Sequence, residues 1–197
     1  MKVTLSQNTR FRLVMIWFAL ASMCCFTVLI VTPNIGWAQH EQHGGQSPAP
    51  IAGNPAIPFD LKSLEGRSLE LTTFRGKPLV INFFASWCDP CREEMPLINA
   101  LAAKGVKDGY SVLGIAVEDT RAAVAQYARE AKLSFLIALD LNSTVKRSYR
   151  IFGPPATFFI DGHGIIRDIV LGPITPERAR EGLRKTGIAT GLVDLSR

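Results

Sequence analysis

Ser86-Trp87-Cys88-Asp89-Pro90-Cys91 places two cysteines two residues apart in a chain of 197 residues. The segment before it, residues 79–84, is short, apolar and rich in residues that favour strands, which predicts a buried β-strand. The segment after it, residues 92–98, has acidic residues and Pro96 within its first turns, which is typical of the start of a helix. We therefore expect the cysteine pair to lie where a strand leads into the N-terminus of a helix.

This placement suits thiol–disulfide exchange, in which a thiolate is the attacking group. The free N–H groups and the positive end of the helix dipole favour a negatively charged sulfur at a helix N-terminus. The first cysteine of such a pair is normally the exposed one, so we assign Cys88 as the nucleophile and Cys91 as the resolving thiol. The two intervening residues let the sulfur atoms meet in a small ring.

The residues around the cysteines bear on the reduction potential. Pro90 stiffens the turn that enters the helix. Asp89 brings a carboxylate close to Cys88, and a nearby negative charge disfavours the thiolate. A less stable thiolate makes the dithiol a better reductant, so we hypothesise a reducing potential. Residues 92–94 add one positive and two negative charges, whose effects oppose each other.

Half of a zinc site or a structural disulfide would also use a pair of cysteines. Zinc needs about four ligands, often from two such pairs, and the sequence has no second Cys-x-x-Cys pair. The histidines are distant from this stretch in sequence: His40, His43 and His163. The other cysteines, Cys24 and Cys25, lie in an apolar run and are interpreted as packing residues. We therefore expect the pair to be redox-active and to bind no metal.

Trp87-Cys88-Asp89-Pro90-Cys91 after an apolar strand resembles the active-site motif of the thioredoxin superfamily. The wider run, residues 82–96, is similar to the membrane-tethered or periplasmic TlpA/ResA-like branch. A second block, residues 153–164, is similar to the cis-proline loop, strand and hairpin turn of that branch. The two blocks stand in the family's order, and the resemblance extends over about residues 57–186.

The resemblance implies an α/β thioredoxin-like fold, with a mixed central sheet and helices on both of its faces. It also implies a protein-disulfide reductase that acts outside the cytoplasm on disulfide-containing proteins, often on apocytochrome c. Pro155 would be the cis-proline that shapes the substrate groove and keeps metal off the thiols. Trp87 would line the edge of this groove, or would serve packing alone.

The sequence departs from the family's pattern in two respects. Asn82 stands where thioredoxin has a buried Asp that assists deprotonation of the resolving thiol. Relatives in this branch place an acid after the next strand, so Glu118 or Asp119 either assists catalysis or is a solvated acid at a helix start. Pro154 lacks the N–H that pairs with the substrate strand in the family. It either weakens main-chain capture of substrate or only stiffens the loop.

The chain divides into four parts. Residues 1–38 combine a basic start with an apolar helix at 13–31, and are either a cleaved signal peptide or a membrane anchor. Residues 39–56, rich in Gly, Pro, Ala, Gln and His, are predicted to be a flexible linker. Residues 57–187 are the thioredoxin-like domain, and 188–197 are a tail. Because basic ends stay inside, both alternatives place the domain in the periplasm or on the extracytoplasmic face of a membrane.

Apolar periodicity and turn residues predict the remaining elements of the domain. Strands are predicted at 59–61, 69–71, 110–117, 135–139, 156–160 and 165–171, and helices at 91–104, 121–132, 142–149 and 176–185. The strand at 135–139 and the helix at 142–149 are an extra strand–helix insertion relative to a minimal thioredoxin, as in the TlpA-like branch.

Two other functions also fit a pair of cysteines. A thiol peroxidase of the same fold needs a proline seven residues before its reactive cysteine, where this chain has Ile81. A Cu(I)-binding module would use both thiolates as soft ligands. The sequence has no nicotinamide or flavin motif, so we expect no cofactor and a membrane-bound or other upstream thiol reductant. The net charge of +5 is not gathered into a basic patch with interleaved aromatic residues, so we expect no nucleic-acid partner.

Overall fold

The computed structural model describes residues 49–188 of the chain. The predicted signal peptide or anchor with its hydrophobic helix, the first part of the linker and the tail beyond residue 188 lie outside the described residues. In the part that is described, no helix combines the length and the apolar character needed to cross a membrane.

The described residues form one mixed sheet of seven strands. The strands are β1 (Asp60–Ser63), β2 (Ser68–Glu70), β3 (Leu79–Phe84), β4 (Ser111–Val117), β5 (Leu136–Asp140), β6 (Ala156–Ile160) and β7 (Ile166–Leu171). Their order across the sheet is β2-β1-β5-β4-β3-β6-β7. β3 pairs in parallel with β4, and β4 with β5, while the other neighbours pair antiparallel. The buried strand before the cysteines, β3, therefore lies inside the sheet with partners on both sides.

Within residues 49–188, four helices and a 3₁₀ turn at Leu71–Phe74 accompany the strands. The helices are α1 (Asp89–Asp108), α2 (Arg121–Glu130), α3 (Thr144–Ser148) and α4 (Pro176–Lys185). Thr120 and Thr175 cap α2 and α4, because their hydroxyl oxygens accept hydrogen bonds from the N–H groups of Ala123 and Arg178. These caps explain why both helices begin where the sequence predicts.

The helix that follows the cysteine motif is longer than predicted. α1 begins at Asp89, before the predicted start at Cys91, and continues through Pro96 to Asp108. Pro90 fits the first turn, because the N–H groups there have no partner within the helix. The helix ends at Gly109, whose φ of 81° lies in the left-handed region that glycine adopts without strain.

The two faces of the sheet are covered by different helices. Alternate residues of β3 point to opposite faces, so Phe84 packs in the core with α1, α2 and α4. Phe83 packs instead in a second core with Val145 and Tyr149, in and just after α3, and with residues that precede β3. The expected α/β fold, a mixed sheet with helices on both faces, is therefore confirmed for residues 49–188.

The predicted extra strand and helix correspond to β5 and α3. β5 lies between β1 and β4, so it joins the N-terminal hairpin to the central strands. Asp140, at the end of β5, is buried, and its carboxylate accepts hydrogen bonds from the N–H groups of Thr144 (2.9 Å) and Lys146 (2.7 Å). These bonds satisfy the free N–H groups of the short helix and fix its position at the end of the sheet.

Residues 53–56, which the sequence assigns to the linker, hydrogen-bond to the hairpin of β6 and β7. The N–H of Gly53 donates to the carbonyl of Ile166 (2.8 Å), and the N–H of Ala56 donates to the carbonyl of Gly164 (2.8 Å). Ala56 is also buried. The packed part of the chain thus begins at residue 53, because the hairpin supplies partners that composition alone does not show.

Candidate active site

Cys88 and Cys91 lie at the N-terminus of α1 and form a disulfide bond. Cys88 is the N-cap residue, and its sulfur accepts a hydrogen bond from the N–H of Cys91 (3.3 Å). Cys88 is 5% exposed and Cys91 is 0% exposed, so only Cys88 reaches the surface. In the reduced protein, the same N–H group and the helix N-terminus would favour a thiolate at Cys88.

The start of residues 153–164, the second block that resembles the family, lies next to the cysteines. β3 and β6 are antiparallel neighbours, with Phe83 opposite Ala156, so the loop before β6 lies beside the residues that follow β3. The Pro154–Pro155 peptide bond is cis. The carbonyl oxygen of Pro154 lies 3.7 Å from the sulfur of Cys88. Neither proline has an N–H, so this carbonyl is the main-chain group that the loop presents to the sulfur.

The loop after β4 contacts the residues just before the cysteines. β4 is parallel to β3, so both strands end at the same edge of the sheet. The carboxylate of Asp119 accepts a hydrogen bond from the N–H of Ser86 (2.6 Å), and the carbonyl of Glu118 accepts one from the indole N–H of Trp87 (2.8 Å). The carboxylate of Glu118 forms an ion pair with Lys146 of α3 (2.7 Å). The carboxylate of Asp119 and the main-chain carbonyl of Glu118 therefore hold the residues before Cys88 in place, whereas the carboxylate of Glu118 pairs with Lys146.

One buried carboxyl group, Glu94, was not assigned to the site from the sequence. It lies one turn after Cys91 on α1 and is 5% exposed. Its oxygens accept hydrogen bonds from the N–H of Ile174 (2.8 Å) and from the side-chain amide of Asn82 (2.7 Å). The amide N–H₂ of Asn82 also donates to the hydroxyl of Thr157 (3.1 Å), whereas the side-chain oxygen of Asn82 is buried without a partner in the described residues.

The surroundings of Glu94 set its proton affinity. Burial raises the pKa of Glu94 above its usual value, because the charged carboxylate loses its hydration. The hydrogen bonds from Ile174 and Asn82 act in the opposite direction without cancelling this effect. A sequence signal for this residue did exist, because residues three apart share one face of a helix and Cys91 lies on the buried face. The bond to Ile174 joins distant parts of the chain and has no such local signal.

The other predicted site residues lie around the entrance to the cysteines. Asp89 is exposed in the first turn of α1, and Pro90 follows it on the surface. Arg92 donates a hydrogen bond to the carbonyl of Ser86 (3.0 Å) and stacks over the ring of Tyr127, at 4.8 Å from the ring centre. These contacts tie the start of α1 to α2 and to the loop after β3.

The histidines do not join this site within the described residues. His163 is exposed in the turn between β6 and β7, and its N–H donates to the carboxylate of Asp161 (2.9 Å). His40 and His43 lie outside the described residues. Across residues 49–188, no three His, Cys, Asp or Glu side chains are grouped closely enough to hold a metal ion.

Comparison with known proteins identifies the family. Residues 52–169 match the AhpC/TSA family. The chain belongs to this family. It is 32% identical over 156 residues to the thiol-disulfide oxidoreductase ResA of Geobacillus thermodenitrificans strain NG80-2, covering 79% of this chain and 90% of the relative. It is 35% identical over 130 residues to ResA of Oceanobacillus iheyensis, covering 64% of this chain and 68% of the relative.

Solved structures that resemble this chain are also thiol–disulfide exchange proteins. A thiol:disulfide interchange protein of the thioredoxin family from Chlorobium tepidum TLS has a TM-score of 0.59 and 26% identity, covering 70% of this chain and 97% of that one. StoA from Bacillus subtilis has a TM-score of 0.56 and 26% identity, covering 66% and 97%. The chain is thus a thiol–disulfide oxidoreductase of the thioredoxin superfamily, and the predicted resemblance is confirmed.

Proposed function

We propose that the protein reduces disulfide bonds of exported proteins outside the cytoplasm, with Cys88 as the nucleophile and Cys91 as the resolving thiol. The observation that carries the proposal is the position of the Cys88 sulfur. It caps α1, accepts a hydrogen bond from the N–H of Cys91 and belongs to the cysteine that retains 5% exposure, whereas Cys91 is 0% exposed. A substrate sulfur can therefore approach Cys88 but not Cys91.

The proposed reaction has two exchange steps. The thiolate of Cys88 attacks one sulfur of a substrate disulfide, so a Cys88–substrate disulfide forms and the other substrate sulfur leaves as a thiolate. The thiolate of Cys91 then attacks the sulfur of Cys88, and the second substrate sulfur leaves. The substrate gains two electrons and, after protonation, two thiols, while the protein keeps the Cys88–Cys91 disulfide.

We assign Glu94 as the group that accepts the proton of Cys91. Cys91 is buried and must lose a proton before it can attack. Glu94 is a buried carboxyl group one turn along the same helix, and its raised pKa brings its proton affinity closer to that of a thiol. Glu118 and Asp119 serve instead to position Trp87 and Ser86, as their hydrogen bonds indicate.

The location, the substrate and the electron source are part of the proposal. The basic start and apolar run within residues 1–38 support export, by a cleaved signal peptide or a retained anchor. Apocytochrome c is the substrate that the resemblance to the ResA-like branch favours. A membrane-bound or other upstream thiol reductant would supply two electrons to restore the dithiol, since the sequence contains no nicotinamide or flavin motif.

Covalent trapping tests this proposal. In Cys91→Ser the second step is blocked, so the full-length variant produced in a bacterial host should hold an exported, cysteine-containing protein on Cys88 through a disulfide. Cys88→Ser is the matched control and should trap nothing. Recovery of cytosolic proteins alone would contradict the extracytoplasmic location, and equal trapping by both variants would contradict the assigned roles.

A further inference from the structure

Two exposed aromatic side chains belong to the two chain segments that meet at Cys88, the segment that contains the cysteines and the loop that contains Pro154. Trp87, directly before Cys88, is 57% exposed, and Phe152 is 101% exposed. Of the large apolar side chains in residues 49–188, that of Phe152 has the highest exposed fraction. Single exposed apolar residues are common on protein surfaces and need no explanation. Two exposed aromatic residues close to a reactive sulfur are different, because such a pair marks a surface that contacts another molecule.

The chain around Phe152 is held firmly, so its exposure is not that of a loose end. Tyr149 is buried, and its hydroxyl donates to the carbonyl of Ile57 (2.9 Å). The N–H of Ile151 donates to the carbonyl of Lys146 (3.1 Å). Phe152 precedes Pro154 by two residues, and the Pro154 carbonyl touches the Cys88 sulfur at 3.7 Å. The Cα atoms of residues two apart are separated by at most about 7 Å, so Phe152 lies at the border of the reaction site.

The same loop offers few main-chain groups to a substrate. A strand that pairs with it needs both a donor and an acceptor, but Pro154 and Pro155 have no N–H. The Pro155 carbonyl already accepts the N–H of Gly172, so of the main-chain groups of these two prolines the Pro154 carbonyl is left beside Cys88. Main-chain pairing therefore gives little affinity here, and side-chain contacts must supply the rest.

We infer that Phe152, together with Trp87, selects substrates in which a large apolar side chain lies next to the cysteine that is attacked. This inference rests on the proposed function. The occupant is an extended peptide segment of the disulfide-containing substrate, because its sulfur must reach a Cys88 that is only 5% exposed. Any segment that does so covers the surface next to Cys88 and the Pro154 carbonyl, and an apolar neighbour would remove the exposed ring of Phe152 from water.

Two peptides provide the test. Each contains one cysteine, is dimerised through it, and differs from the other only in having Phe or Ser directly after that cysteine. The second-order rate constant for each is measured with prereduced full-length protein. We expect the Phe peptide to react about tenfold faster than the Ser peptide, as burial of part of a phenylalanine ring allows. In Phe152→Ser, where only Trp87 remains, this ratio should fall to about threefold or less.

Two further variants make the test specific. Val106→Ser is the matched control, since Val106 is 88% exposed near the far end of α1, and the peptide ratio should remain at its wild-type value. Pro154→Ala restores a main-chain N–H beside Cys88, so the Ser peptide should react about threefold faster. An unchanged ratio in Phe152→Ser, or a wild-type ratio of one, would overturn the inference. If the wild type reduced neither peptide nor a small disulfide reagent, the proposed function itself would fail.

Discussion

Replacing Glu94 tests how the buried site is held together. In Glu94→Ala the N–H of Ile174 loses its acceptor, while the amide of Asn82 keeps only Thr157. A buried donor without a partner costs about 1–3 kcal/mol, and the vacated volume adds to this cost. We therefore expect the free energy of unfolding of the oxidised protein to fall by about 3 kcal/mol.

Glu94→Gln is the matched variant, because it keeps the shape of the side chain. Its amide oxygen can accept the N–H of Ile174, and its amide nitrogen can donate to the side-chain oxygen of Asn82, which has no partner in the described residues. Asn82 only needs to exchange the positions of its oxygen and nitrogen. We expect this variant to lose no more than about 1 kcal/mol of unfolding free energy at neutral pH.

The free energy of unfolding should depend on pH through the ionisation of Glu94. Burial raises the pKa of Glu94 above the value of 4.5 that it would have in the unfolded chain, so the folded protein binds its proton more tightly. The contribution of this group to stability is therefore fully present below that value and is lost as pH rises through the folded pKa. Glu94→Gln lacks this loss, so it should gain stability relative to the wild type as the pH rises above 4.5.

Urea denaturation of the oxidised proteins, followed by circular dichroism, measures these differences. The reasoning would be refuted if Glu94→Ala were as stable as Glu94→Gln at neutral pH. If the stability of Glu94→Gln relative to the wild type fell with rising pH, the claim that burial raises the pKa of Glu94 would be refuted.

Three further changes follow from particular contacts. A Cβ atom at Gly182 would lie 2.5 Å from the ring of Phe159, so Gly182→Ala should lower the free energy of unfolding by about 2 kcal/mol or more in urea denaturation, and a neutral effect would contradict the packing. Trp87→Phe removes the hydrogen bond to the carbonyl of Glu118, so the free energy of unfolding should fall by about 1 kcal/mol in the same measurement. An unchanged midpoint of urea denaturation would argue against that bond. Asp89→Asn removes a negative charge beside Cys88, so the reduction potential should rise by about 10–20 mV in a glutathione titration, and a fall would contradict the reducing effect assigned to Asp89.

Local patterns were enough to predict most elements of the fold. The apolar run of β3, the N-cap threonines of α2 and α4, and the turn between β6 and β7 all have signals within a few residues. The start of α1 differs from the prediction by two residues, since the pattern did not reveal that Cys88 itself serves as the N-cap. The contact of residues 53–56 with the hairpin has no local signal, because it depends on a partner more than a hundred residues away.

In the site, too, local features were predictable from the sequence and contacts between distant residues were not. The position of Cys88 and Cys91 at a helix N-terminus could be predicted, because the strand, the turn and the start of the helix are adjacent in sequence. The hydrogen bond from Ile174 to Glu94 depends on how α1 packs beside the segment before α4, which a helical pattern does not specify. The hydrogen bond from Ser86 to Asp119 likewise depends on the parallel pairing of β3 with β4. The exposure of Phe152 could not be predicted, because an aromatic residue in an apolar run is normally buried.

The most direct measurement compares the two cysteines in the reduced full-length protein. Cys91→Ser and Cys88→Ser are each mixed with a small disulfide reagent, and mass spectrometry of proteolytic peptides follows the mixed disulfide at Cys88 or Cys91 separately from any at Cys24 and Cys25. The account predicts that Cys88 in the first variant reacts rapidly and stoichiometrically, while the buried Cys91 in the second reacts at least about a hundredfold more slowly. Equal rates, or faster reaction at Cys91, would contradict the claim that Cys88 is the attacking thiol.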